Sequence, residues 1–130
     1  TLEDHDFWLR MAAHYRFAYL DEPLAHYRVH DQMTTKTAAE EMRRGNILVQ
    51  GRAMAMPAFD RLQPAQKVSV YTFYGAKLLA LGEIEQARYS LMKAIRINPF
   101  TLKAYGFLLF TLFGKKGALQ IAHLRRRVRR

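Results

Sequence analysis

Apolar and polar positions alternate with two different periods along this chain, and the period changes near residue 35. In residues 3–15 the apolar positions are Phe7, Trp8, Met11, Ala12 and Tyr15, with the one-, three- and four-residue spacings of a helical face. Glu3, Asp4 and Asp6 fall in the first turn, where the helix dipole favours negative charge. "RFAYL" at 16–20 then reads as a short strand. "DEP" at 21–23 reads as a turn, because Pro23 fixes φ and removes a donor. "LAHYRVH" at 24–30 alternates. Ala25, Tyr27 and Val29 share one side of the expected strand, and Leu24, His26, Arg28 and His30 share the other.

Beyond "DQMTT" the pattern becomes helical. A helix is predicted over 37–56, weakened or bent near Gly45 and Gly51, and Pro57 and Pro64 mark a short connection. Four further helices are predicted at 65–81, 84–97, 101–113 and from 117 to the last residue. Gly82, Asn98–Pro99 and Gly114 to Gly117 supply the breaks. The expected fold class is therefore mostly α: a helix and two short strands, then antiparallel helical hairpins.

The stretch "VYTFYGAKLLALGEIEQARYSLMKAIRINP" at 70–99 resembles a tetratricopeptide unit. Tyr71, Tyr74, Gly75 and Leu78 occupy the signature positions of the first helix, Gly82 the turn, and Ala87, Leu91, Ala94 and Pro99 the second-helix positions. Small residues at 75, 87 and 94 let two helices approach. A shift of 34 residues puts Tyr105 on Tyr71 and Leu112 on Leu78, but Leu109 replaces Gly75, so the second unit is degenerate. Fewer than three units leave little concave surface for a peptide. A plain helical hairpin accounts for the same core pattern.

Composition narrows the chemistry. The 130 residues suffice for one ordinary domain or two small modules, and half of them are hydrophobic. There is no cysteine, so disulfides and thiolate metal sites are excluded; this accords with a reducing compartment. The net charge is +10. Residues 115–130 carry seven Lys and Arg and no acid, leaving +3 on residues 1–114. The longest apolar run, at 104–114, spans 11 residues, whereas a membrane-crossing helix needs about 20. No signal or transit peptide is apparent, and a chain opening on Thr-Leu-Glu-Asp is expected to be cut from something longer.

The opening third carries the candidate chemistry. Glu3-Asp4, then "FWLR", then "EPLAHYRVH", resembles the C-terminal part of the catalytic domain in glycosyltransferase family 2, over about residues 2–34. The resemblance implies an inverting, GT-A-fold enzyme using a nucleotide-sugar donor and a carbohydrate or lipid-linked acceptor, with a divalent metal (Mg or Mn) as cofactor. It implies Asp4 as catalytic base beside Glu3, Trp8 and Arg28 as substrate-binding residues, and His30 as a metal ligand. It divides the chain into a truncated catalytic end at 1–35, a connecting helix and linker at 36–64, and a tetratricopeptide-like region with a basic tail at 65–130. The residue types suit such a transfer: a carboxylate takes the acceptor proton, and a cation stabilises the departing diphosphate. The nucleotide-binding strands and the Asp-x-Asp metal motif of that family have no counterpart in residues 1–130; Asp4-His5-Asp6 lies inside the Glu-Asp segment and is not that motif. The 130 residues alone are thus expected to be inactive.

Other readings compete. Glu3, Asp4 and Asp6 equally suit a helix start as plain charges. His5, His14, His26 and His123 have no ligand-like spacing. The alternative function is a non-enzymatic, tetratricopeptide-like interaction module. The tail lacks the interleaved aromatics of a nucleic-acid binder, so no nucleic-acid partner is expected. Arg125, Arg126, Arg127, Arg129 and Arg130 instead suit an anionic membrane surface. A cytoplasmic location, peripheral to the inner face of the membrane, is the corresponding expectation.

Overall fold

The computed structural model describes residues 2–30 and 38–113. The chain divides into two compact units, Thr1–Ala58 and Phe59–Arg130. The first contains helix α1 (Glu3–His14) and helix α2 (Ala39–Met54). A short helix, α3 (Pro57–Asp60), crosses the boundary. The second unit contains α4 (Pro64–Ala80), α5 (Ile84–Ile97) and α6 (Leu102–Phe110), and α6 tightens into a 3₁₀ turn at Thr111–Phe113.

In the first unit, α1 ends at Tyr15, whose backbone is extended and whose N–H still donates to the Met11 carbonyl. No residue of α1 is buried. Helix α2 runs unbroken through Gly45 and Gly51. At Gly45 a Cβ would lie 3.0 Å from Leu2 Cδ1, a contact that a small shift of the leucine side chain relieves.

The expectation of two short strands fails. Among the described residues the structure has no strand, and "RFAYL" and "LAHYRVH" are irregular chain. Both sides of the alternation at 24–30 are exposed, and among the described residues no backbone–backbone hydrogen bond involves residues 16–30. Alternation sets the direction of successive side chains, but a strand also requires a neighbour to complete the ladder. Without that neighbour, the helix-plus-two-strands remnant of a GT-A domain is not what these residues form. The mostly-α part of the expectation holds.

In the second unit the helix limits follow from local chemistry. Gln63 is extended and Pro64 opens α4, where a missing N–H costs nothing, while Gln66 Oε1 accepts the Gln63 N–H at 2.9 Å. At the other end Gly82 takes φ 77°, and the Gly82 and Glu83 amides return to the Leu79 and Leu78 carbonyls, both at 3.0 Å. That is a Schellman turn, and it needs the left-handed residue glycine adopts freely. The α5–α6 connection is an Asx turn. Asn98 Oδ1 accepts the Phe100 N–H at 3.0 Å, and the Thr101 hydroxyl donates to the Asn98 carbonyl at 2.9 Å.

Contacts show that the three helices run antiparallel in turn. Gly75 meets Leu91 and Ala87, and Ser90 Oγ donates to the Tyr71 carbonyl at 2.8 Å, so α5 descends as α4 rises. Arg88 likewise reaches Thr111, near the far end of α6 from Ala104, which clusters with Ala94. Val68, Leu91, Ala94 and Ala104 form the buried cluster, flanked by Tyr71, Ile95, Phe107 and Leu108. The approach at Gly75 is close: a Cβ there would stand 2.7 Å from Leu91 Cγ and 3.2 Å from the Ala87 carbonyl oxygen. This is the small-residue contact that the spacing of Gly75, Ala87 and Ala94 predicts. The expected helix from 117 onward, with its arginines, lies outside the described residues.

Candidate functional site

Asp4 at the start of α1 and the indole one turn on share a helix face. Asp4 and Trp8 are four residues apart, the spacing that stacks side chains along one side. Asp4 is exposed, and its Oδ1 accepts the N–H of His5 at 2.7 Å. Glu3 is exposed beside it. Asp6 belongs to different chemistry: its carboxylate faces Arg10 Nε at 3.2 Å, a helix-turn ion pair worth only a few tenths of a kcal/mol, about 0.3–0.5.

Trp8 is 54% exposed and sits in an edge-to-face aromatic row. Its ring centroid is 5.1 Å from Phe7 and 5.9 Å from Phe17, with interplanar angles of 71° and 70°. The sequence reading missed Phe17, which it assigned to a strand. The available signal was the end of α1 at His14: once the chain leaves the helix it can turn Phe17 back over the indole. With 54% of its surface exposed, Trp8 remains accessible to an apolar or ring-shaped partner.

Arg28 and His30 are exposed on the irregular segment, and no described contact brings them to Asp4 or Trp8. Nearby, Tyr19 donates its hydroxyl to Asp21 Oδ1 at 3.1 Å. Among the described residues, no group of three or more His, Asp or Glu side chains gathers to hold a cation. Mg and Mn prefer about six ligands, mostly oxygens, so His30 supplies at most one. The described residues therefore hold no complete metal centre by themselves.

The second unit holds perturbed groups of another kind. Burial pushes the Tyr74 hydroxyl up and the Lys77 ammonium down. Lys93 Nζ stands 4.6 Å from the Tyr89 ring centroid and 5.5 Å from that of Tyr71. Its ammonium is held above the ordinary value, first by the interaction with Tyr89 and then by Tyr71. Arg88 donates from Nε to Thr111 Oγ1 and from Nη2 to the Thr111 carbonyl, both at 3.0 Å, and pairs with Glu85 at 3.2 Å. These contacts hold helices together. No family model, curated protein or solved structure matches this chain.

Proposed function

We propose that residues 2–34 belong to an inverting, nucleotide-sugar-dependent glycosyltransferase of family 2, in which Asp4 is the general base. The observation that carries this reading is the pairing on one face of α1 of an exposed carboxylate, Asp4, with an exposed indole, Trp8. An exposed carboxylate can take a hydroxyl proton. An exposed indole suits the C–H face of a sugar ring. On this reading the acceptor rests against Trp8 and presents its hydroxyl to Asp4. As the oxygen attacks the anomeric carbon, its proton passes to the carboxylate and the nucleoside diphosphate leaves with the bonding electron pair. Arg28 supplies positive charge to the departing diphosphate, and Glu3 adds a second acid beside the base. The acceptor is a surface polysaccharide or a glycolipid.

The test uses a polypeptide in which a family 2 donor-binding domain is joined ahead of this segment. Asp4→Asn preserves shape and removes proton affinity. Turnover of the nucleotide sugar should fall by about 10²-fold or more while donor binding stays near the parent value. Undiminished turnover would remove Asp4 from this role.

A further inference from the structure

Helix α6 is apolar on two opposite faces, and the described residues cover only one. Ala104, Phe107, Leu108 and Thr111 face the core of the second unit. Leu102, Tyr105, Leu109 and Leu112 repeat at intervals of three, four and three on the opposite side, and Phe100 precedes them. Phe100 is 88% exposed, Leu102 81% and Leu112 71%. At Gly106 a Cβ would meet nothing within 4 Å, so this side of the helix is open. A helix that is apolar all round is normally buried all round.

Charge says what this face suits. From Gln86 to Arg130 the chain has eleven Lys and Arg and no acidic residue. Lys103 is the one charged residue of α6, and seven of the eleven cations follow within residues 115–130. We propose that the outer face of α6, with Phe100, Leu102, Tyr105, Leu109 and Leu112, inserts into the surface of an anionic lipid bilayer, held there by the flanking cations. An apolar helical face beside a cationic segment is the pattern of a helix lying in the headgroup region, where apolar burial and attraction to anionic lipid act together. Two other occupants fit less well. A fold-back of the following residues onto the stripe would bring 125–130, five arginines in six residues, to Phe100 and Leu102, its most exposed members. A second copy would bring two chains of +10 together along their most basic segments. This docking is independent of glycosyl transfer, and its test uses no activity.

Because the chain has no cysteine, Leu109→Cys in the 130-residue chain carries a single environment-sensitive fluorophore. Gln86→Cys, exposed on α5, is the control. On addition of phosphatidylcholine vesicles containing phosphatidylglycerol, the label at 109 should brighten and shift to the blue, and the label at 86 should not. Phosphatidylcholine alone should give little response, and salt should weaken the response to the anionic vesicles. In co-sedimentation, Leu102→Gln with Leu109→Gln should weaken binding about tenfold or more. Replacing Arg125, Arg126, Arg127, Arg129 and Arg130 by Gln should weaken it about fivefold for each cation removed. Parent-like binding by the leucine variant would reduce the interaction to charge alone and overturn the proposal. So would a label at 109 that already reports an apolar setting without lipid and does not respond to vesicles. In that case sedimentation velocity separates a second copy from coverage by the chain itself.

Discussion

Thr72 lies in the buried stripe of α4, with Val68, Gly75 and Leu79, and is 6% exposed. Among the described residues its hydroxyl has no hydrogen-bond partner. Ser90 is the contrast. It is equally buried, but its hydroxyl donates to the Tyr71 carbonyl, so its desolvation is offset. A buried hydroxyl without a partner loses its water and gains nothing, a cost of about 1–3 kcal/mol. Thr72→Val keeps the shape and the β-branch, so helix propensity changes little. Valine there should stabilise the chain by about 1 kcal/mol, read as a higher urea midpoint with an unchanged slope. Ser90→Ala should move the midpoint the other way. A lower midpoint for Thr72→Val would mean that the hydroxyl finds a partner in solution.

At the scale of elements, the α4–α5 pair is where sequence and structure agree most closely, because its determinants are local. The Gly82 turn, the Pro64 start and the small residues at 75, 87 and 94 each act within one or two helices, so their spacing is enough to read them. The predicted span 84–97 is the observed α5. The region 16–30 fails for the complementary reason. A strand depends on a neighbour that may lie anywhere in a chain, and period-two alternation cannot say whether one is present. The candidate site divides along the same line. That Asp4 and Trp8 lie four residues apart on one helix could be read from the periodicity; how Arg28 and His30 relate to them could not, because it depended on a ladder that the described residues lack. The tight contact at Gly75 gives a direct check. Alanine raises intrinsic helix propensity by about 1 kcal/mol. Its Cβ, however, would sit 2.7 Å from the Cγ of fully buried Leu91 and 3.2 Å from a backbone oxygen. Overpacking of that kind costs about 1–3 kcal/mol, so Gly75→Ala should lower the unfolding free energy despite the better propensity. A stabilised variant would show that α4 and α5 separate without cost.

Across the whole molecule the two units differ in how much they bury. In the second, Leu78, Leu91, Ala87, Ala94 and Ala104 are each 0–1% exposed, and three helices share them. In the first, α1 buries nothing, Val49 is the buried hydrophobic residue of α2 among those whose burial is described, and the segment from Tyr15 to Val29 leaves Phe17, Tyr19, Leu20, Leu24 and Tyr27 in solvent. Local opening is easiest where few apolar contacts and few backbone hydrogen bonds must be broken. Amide exchange should therefore be graded along the 130-residue chain. Residues 16–30 should exchange at close to the rate of an unstructured chain, α1 should be protected weakly, and the facing parts of α4 and α5 should exchange last. The slowest amides should lie around Leu78, Leu91 and Ala94 and respond to Gly75→Ala, which acts on their contact, while those of residues 16–30 should not change. Uniform protection across both units would mean that the chain opens as a single cooperative body, with the exposed aromatic residues of the first unit held by contacts the described structure does not contain.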